Sequence, residues 1–476
     1  MIIGWTIVAI IGLILAVVLI RTFSIKKSET PIDNYPILDK KTEEELFCEF
    51  SKVLKIATVD GCENCEALFA EYENTLKDMF PLFYTKAESI AIDGAFLYKF
   101  AGTKNTEKPS IILAHCDVVE ANGTWEHEAF EPQLEDHKIF ARGTVDNKGM
   151  AFAFHKAVEK FFAEGGSFNN DVYFMSTKNE ESSSQGAKNV AKYCRENDLQ
   201  FAVIFDEGGA TTCEVLPGIN NDIALLGLCE KGYYDVKFSA KSKGGHSGSP
   251  QSSNPFHRLS KFVCAVEKRG YFKVSMMQTL TEMFKAVAPY MGFELRLLLG
   301  NMWLFKPLVK AVLPAFSPAI GAMMKTTMVF TRAEGSGANN VIPETATMTA
   351  NIRNLPTESA EAVLAKLKKT AEKYDITMEV LYEKPASAMT NVNQKEVQII
   401  SDTIKTVMPS TIVTSYVTIG ATDCCLLDEF SDAVVRFSPI RQSGNQIDAM
   451  HGIDENVGVS ELNKAIEFFS TYIKTR

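Results

Sequence analysis

Two histidines and a series of acids recur at spacings that could hold divalent metal ions. His115 and Asp117 stand one residue apart after the apolar run Ile111-Ile112-Leu113-Ala114. An Asp in that place can hold the imidazole in one tautomer and make its other nitrogen a better ligand. Asp146 lies in the Gly-flanked run Ala-Arg-Gly-Thr-Val-Asp-Asn-Lys-Gly over 141–149, just before a helical pattern over 150–163. Glu180 and Glu181 follow an apolar run over 172–176, and Asp206-Glu207-Gly208-Gly209 follow another over 201–205. Met450-His451-Gly452-Ile453-Asp454-Glu455 lies near the C-terminus. A lone His-x-Asp also reads as a solvated turn. Acid and imidazole groups after successive strands are where open α/β sheets place their sites. Two His with at least three carboxylates suit hard-to-borderline divalent ions, zinc best.

These groups need a frame. From 110 to 206 strand and helix patterns alternate, which predicts a largely parallel sheet covered by helices. Before it, helical spacing covers 42–55 and 65–79, and a strand is expected over 90–100. Near residue 225 the pattern changes. Strands are expected over 227–240, 328–332, 346–353 and 376–384, with helices over 254–267 and 357–373. Leaving out residues 270–325, this is a β-α-β-β-α-β order, a ferredoxin-like layout. Then follow a helix over 394–408, strands over 412–417 and 433–437, and a last helix over 460–474. No internal repeat or low-complexity tract interrupts this order.

The chain has 476 residues, enough for two domains with large cores. Its net charge is −10 and no Lys/Arg cluster stands out, which argues against a nucleic-acid partner. Ten cysteines occur without a repeating framework, and the lone Cys62-x-x-Cys65 pair reads as ordinary thiols. Residues 2–20 are almost wholly apolar, long enough for a helix to span a bilayer. Positive charge comes after this run, at Arg21, Lys26 and Lys27, unlike a cleaved signal peptide. An uncleaved anchor is expected, with the following domain on the cytoplasmic side by the positive-inside rule.

The set of motifs, in order and spacing, resembles the di-zinc peptidases that include aminoacylases, acetylornithine deacetylase, glutamate carboxypeptidase and Gly-Xaa carboxypeptidase (metallopeptidase family twenty). It is most like the branch with Gly-Xaa carboxypeptidase and the N-fatty-acyl-amino-acid synthase/hydrolases. The resemblance covers about residue 35 to the C-terminus. It implies a catalytic domain in two pieces, 40–225 and 386–476, with a smaller lid or dimerisation domain, 226–385, inserted between them. An anchor over 1–22 and a linker over 23–39 precede it.

The resemblance also implies roles. Two zinc ions about 3.5–4 Å apart would polarise an amide carbonyl and supply a nucleophile at neutral pH. Asp146 would bridge them, with His115 and Asp206 on one ion and Glu181 and His451 on the other. Spacing favours Asp206, with Glu207 as alternate. Glu180 would be the general base, passing a proton from water to the leaving nitrogen. Strand geometry says only that neighbouring side chains point apart, so which of Glu180 and Glu181 ligates rests on the resemblance. Asp117 would support His115 without ligating. The peptide bond Asp146–Asn147 is expected to be cis. Either acid at 206–207 could instead cap a helix at the following Gly pair. Arg142 and Lys148 would set up the turn around Asp146.

In the inserted domain, His246 lies in Gly-Gly-His-Ser-Gly. The implied role is a hydrogen bond to the scissile carbonyl oxygen, often in a partner subunit's site; the alternative is a histidine packed in a loop. Asn340 and Arg353 resemble lid groups that grip a substrate carboxylate, for which Arg is the natural bidentate clamp. Gly420-Ala421-Thr422-Asp423 resembles a Gly-rich loop on the same carboxylate, with Gly420 and Thr422 as its substrate-binding residues; it also reads as a helix start capped by Asp423. His127, His137, His155 and His257 read as surface or helix residues.

Residues 270–325 depart from the simple pattern. They are rich in Met, Phe and Leu, but Arg296, Pro307, Lys310 and Pro314 break the apolar runs, so a second membrane span is not expected. They read as extra lid helices with their own core, as a greasy wall beside the site, or as a surface that dips into lipid.

The expected protein is an anchored, two-domain, di-zinc amidohydrolase acting on an N-acyl amino acid or short peptide with a free carboxylate. The alternatives are a small-peptide dipeptidase, or a catalytically inactive tethered binding protein. The second needs a broken motif, and none of the six catalytic positions is missing. A homodimer through the lid is compatible with both enzyme readings.

Overall fold

The computed structural model describes residues 2–28, 35–213, 219–250 and 253–476. Residues 29–34 of the expected linker lie outside them. The frame is an eight-stranded mixed sheet in the order Ala87–Ile92, Ala95–Phe100, Val172–Thr177, Ser110–Leu113, Val203–Thr212, Val434–Gln442, Ile223–Glu230, Ile412–Thr418. The central strands pair in parallel. They are buried on both faces, so they read as continuous apolar runs rather than alternating ones. The helices Lys148–Ala163, Lys395–Val407 and Val459–Tyr472 cover one face, with Phe154, Ile400 and Phe469 in its core. The helix Gln185–Glu196 packs Ala187 and Val190 on the other.

Three strand expectations change. The strand over 90–100 is a hairpin, Ala87–Ile92 and Ala95–Phe100, and it makes that edge of the sheet antiparallel. Asp93-Gly94 turns it, with Gly94 at φ 75° where only glycine is unstrained. The strand over 227–240 is two strands in different sheets, Ile223–Glu230 and Tyr233–Lys241. The crossing at Gly232 is tight, since a Cβ there would lie 2.1 Å from Asn354 Oδ1. The strand over 201–205 runs on to Thr212 through Asp206 and Glu207, so these acids cap no helix.

The second sheet is antiparallel, in the order Thr327–Glu334, Thr345–Arg353, Tyr233–Lys241, Thr377–Lys384. The helices Pro255–Val266 and Ala360–Glu372 close its core around Phe238, Phe262 and Leu367. This is the split β-α-β layout expected from the element order.

Tyr271 and Phe272 pack against that core, but the rest of residues 270–325 does not join it. They form the helices Gln278–Val287, Phe293–Gly300, Met302–Phe316 and Pro318–Met324. Leu280, Met283, Phe284 and Met324 share one cluster with Ile223, Ile412 and Val417 of the large sheet. The apolar helices thus cover the sheet's edge strand, which would otherwise offer unpaired backbone groups. The N-terminal helix Ile2–Ser24 contains Trp5–Ser24, a 20-residue stretch of mean hydropathy 2.6. It exposes Trp5, Leu13 and Ile20, and buries Val18 and Thr22 against the helices around Asn301.

Candidate functional site

The acid and imidazole groups converge at the carboxyl ends of the parallel strands. His115 follows Ser110–Leu113, and its Nδ1 lies 2.9 Å from the main-chain oxygen of Asp117. A carbonyl can only accept, so Nδ1 carries the proton and Nε2 is left as the ligating nitrogen. Asp117 therefore orients His115 through its backbone oxygen, and its carboxylate Oδ1 also stands 3.4 Å from Nδ1. The same carboxylate ties in the glutamates: Oδ1 accepts the N–H of Glu180 at 3.1 Å and Oδ2 that of Glu181 at 3.0 Å.

Asp146 is the centre. Its Oδ1 lies 2.9 Å from His115 Nε2 and its Oδ2 lies 3.0 Å from His451 Nε2. Glu207 Oε1 stands 3.3 Å from His115 Nε2, and Glu181 Oε1 stands 3.4 Å from His451 Nε2. The peptide bond Asp146–Asn147 is cis, as the resemblance implied. Asp206, the favoured ligand, is not in this group. Its Oδ2 accepts the N–H of Cys424 at 2.9 Å, and its Oδ1 accepts that of Glu207. Side chains alternate along a strand, so with Asp206 turned to that side Glu207 faces the cluster. Gly208, at φ 99°, follows where the register with the neighbouring strand shifts.

Glu455 was given no role from the sequence, and it builds the turn. Its carboxylate accepts the N–H groups of Gly143 and Val145 at 2.8 Å and of Asp146 at 3.1 Å. Arg142 pairs with Glu455 at 2.9 Å and also donates to the carbonyls of Met450 and Gly452, which tie the Asp146 turn to the His451 loop. Lys148 instead donates to the carbonyls of Val53 and Ile56, away from the carboxylates. The only sequence signal for Glu455 was its place four residues after His451.

Electrostatics describe a cluster rich in buried acids at the mouth of which His451 stays exposed. Burial and then the Asp146 charge push the Glu207 carboxyl up to about 8. Glu180 is raised too, chiefly by burial. Burial would lower His115, but Glu207, Asp117 and Asp146 carry its imidazole well above the ordinary value. Burial pulls Asp146 upward, yet the hydrogen bonds to His115 and His451 outweigh it and hold its carboxyl low. Glu181 Oε1 is buried and, among the described residues, has no hydrogen-bond partner beyond its 3.4 Å approach to His451 Nε2. Three overlapping sets of His, Asp and Glu donor atoms each fall within 4.8 Å: His115–Asp146–Glu207, Asp146–Glu181–His451 and His115–Glu180–Glu181. Two sets share Asp146, and this donor chemistry fits two divalent cations.

A cavity of about 800 Å³ opens onto the cluster, lined by Asp146, Glu180, Glu181, Glu207 and His451. Arg353, Gly420 and Thr422 line it as well. Arg353 is held by neutral acceptors, Asn351 Oδ1 at 3.1 Å and the Ile419 carbonyl at 3.2 Å, and lies 4.5 Å over the Tyr233 ring. The Thr422 hydroxyl donates to Glu230, itself paired with Arg436. Met283, Val287, Ile320 and Met323 supply an apolar wall from residues 270–325. His246 and Asn340 are elsewhere. They sit together on the exposed ribbon of Gly245–His246 and Val341–Ile342, where Ser247 donates to the Asn340 carbonyl. Neither lines the cavity.

Three comparisons bear on this geometry. The sequence model of peptidase family M20/M25/M40 matches residues 111–475. The chain is 28% identical over 434 residues to a probable carboxypeptidase S-like 2 of Dictyostelium discoideum, covering 89% of this chain and 82% of that one. It is 27% identical over 494 residues to the N-fatty-acyl-amino acid synthase/hydrolase PM20D1 of Xenopus tropicalis, covering 99% and 95%. A metallo-carboxypeptidase of the M20 family from Sulfolobus solfataricus superposes with a TM-score of 0.65 at 19% identity, covering 92% of this chain and 99% of its own.

Proposed function

The chain belongs to peptidase family M20/M25/M40 and is a metallopeptidase or amidohydrolase; on that premise we propose that it hydrolyses the amide of an N-acyl amino acid or short peptide bearing a free carboxylate. The observation that carries this reading is the Asp146 carboxylate with a histidine nitrogen at each oxygen and Arg353 lining the same cavity. Members of the family typically bind two metal ions.

In this reading His115, Asp146 and Glu207 would hold one zinc ion, and Asp146, Glu181 and His451 the other. Such a pair, when bound, polarises an amide carbonyl and makes nearby water a nucleophile at neutral pH. Glu180 faces the cavity from the residue before Glu181. It takes a proton from the attacking water and delivers it to the leaving nitrogen. Asp117 holds both glutamates by their backbones, so base and ligand keep fixed places. Arg353 takes the substrate carboxylate, and the Gly420–Thr422 loop lines the cavity beside it. His246 and Asn340, exposed away from the cavity, would serve it only from a second copy or after the four-stranded unit moves.

We read the N-terminal helix as a retained anchor. Its last turns are docked on Asn301 and Phe293, a contact that a removed signal segment would leave uncovered. Positive charge at Arg21, Lys26 and Lys27 supports a cytoplasmic face for the following domain.

The test is metal content together with a substrate panel. Purified protein should carry two zinc ions per chain and cleave N-acyl amino acids. A chelator should stop the reaction and zinc restore it. Methyl esters of the same substrates should be poor. Cleavage confined to dipeptides with free amines would replace the acyl reading with a dipeptidase. A chain with two metals and no hydrolysis of either class would leave a tethered binding protein.

A further inference from the structure

We propose that the helices Phe293–Gly300 and Met302–Phe316 form a second membrane-seated element, which rests in the lipid leaflet on the domain side of the anchor. The inference rests on the anchor reading above. It begins with Asn301, the residue between the two helices, which meet at a bend of 112°. The Asn301 side chain is fully buried and donates to Thr22 Oγ1 at 3.0 Å, the Val18 carbonyl at 3.3 Å and the Leu297 carbonyl at 2.9 Å. Phe23 packs on Phe293 with ring centroids 5.7 Å apart. Gly300 lets the chains approach closely, since a Cβ there would fall 2.4 Å from Ile25 Cδ1. The elbow is therefore fixed to the last two turns of the anchor. At a rise of about 1.5 Å per residue, Val18 to Ser24 spans about 9 Å, so the elbow sits at the boundary of acyl chains and headgroups.

The outward face of the elbow is largely apolar, with Glu294 exposed between Phe293 and Leu295 on the first helix and Lys306 and Lys310 along one edge of the second. Met302 and Val309 of the second helix enter the cluster on the large sheet. The opposite side exposes Trp303 (53%), Leu304 (38%), Leu308 (48%) and Val312 (40%), with Phe293 and Leu295 exposed on the first helix. A helix apolar on both faces belongs in a core or in lipid, not at a water boundary. Pro307 lies on the same exposed arc, and Lys306 at its border, where a long cationic side chain can reach the headgroups. A Trp beside that border is the usual interfacial residue. Interfacial helices of this kind sink about 5–10 Å into the leaflet, the depth at which the anchor holds this elbow. An anchor alone fixes the chain to a membrane. The elbow also fixes the catalytic domain's orientation, because its inner face packs in the same cluster as Met283, Val287, Ile320 and Met323 of the cavity wall.

The chain's three tryptophans, Trp5, Trp125 and Trp303, provide the test. The full chain is reconstituted in phosphatidylcholine vesicles with and without bromine on the acyl chains near the headgroup, and tryptophan emission is compared. The W5F variant should lose the Trp303 share of its emission in brominated lipid, and W5F/W303F should lose none. The W303F variant reports Trp5 and hence the anchor. If W303F is quenched and W5F is not, the anchor stands and this inference is overturned. If neither is quenched, the anchor reading fails and the inference fails with it. Trp303 unquenched by lipid and protected from acrylamide would place a second copy of the chain on this face, and would also overturn it.

Discussion

The Asp206 carboxylate accepts the backbone N–H of Cys424 at 2.9 Å, on the side away from the His115–Asp146 cluster that its neighbour Glu207 faces. Glu207→Gln should therefore lower bound metal from two ions per chain toward one. Asp206→Asn should keep both ions and cost activity only through a looser loop at 423–424. Metal analysis of the two purified variants decides between them. Loss of metal from D206N alone would restore Asp206 as ligand.

Glu180 and Glu181 share one anchor in Asp117 and should differ in effect. Glu180→Gln should retain both metals and reduce kcat by at least about 100-fold, the usual contribution of a general base. Glu181→Gln should lose metal from the His451 side. The opposite pattern of metal loss would exchange the two roles.

Arg353 should bind substrate through its charge. Arg353→Ala should raise KM for N-acyl amino acids while leaving metal content unchanged, at a cost of about 1.5–3 kcal/mol for one charge-assisted hydrogen bond. Arg353→Lys should recover only part, because a point charge cannot pair in bidentate fashion. Steady-state kinetics on an acid and its methyl ester check this. Equal losses for both would mean that Arg353 supports the fold rather than the carboxylate.

His155 makes folding pH-dependent. It is buried, stacked 4.2 Å from the Phe83 ring, and burial pushes its imidazole down to about 4. Between the unfolded value of about 6.5 and about 4, the unfolded chain binds a proton that the folded one does not. Stability should thus be complete above about pH 6.5 and fall as the pH drops to about 4, by on the order of 3 kcal/mol. His155→Gln should flatten that part of the profile. Chemical unfolding of the metal-free proteins at several pH values measures it without metal loss intervening. Parallel profiles would assign the acid loss to other groups.

The apolar cavity wall should reward long acyl chains. Each methylene buried against Met283, Val287, Ile320 and Met323 should contribute about 0.8 kcal/mol. kcat/KM should therefore rise with chain length in a series of N-acyl amino acids, and Ile320→Ser with Met323→Ser should weaken that rise. A flat profile in the unaltered enzyme would make this wall a scaffold for the sheet edge.

The sequence alone determined which residue types gather and in what order, because metal ligands must be imidazoles and carboxylates and buried parallel strands must be apolar runs. That His115, Asp146, Glu181 and His451 gather in one place was legible in this way, and so were the β-α-β-β-α-β order and the membrane-length helix. Local pattern could not say which of two adjacent acids turns inward. At 206 and 207 that depended on Cys424, more than 200 residues away, and on the bulge at Gly208. Glu455 took its role from backbone N–H groups more than 300 residues earlier. The apolar segment 270–325 was visible as greasy, but its place was not. Its side chains are apolar on nearly every face, so periodicity could not tell core from lipid. Contacts from Asn301 back to Val18 and Thr22 fixed it instead. Such pairings depend on how distant elements pack, and packing acts on surfaces that no short stretch of sequence contains.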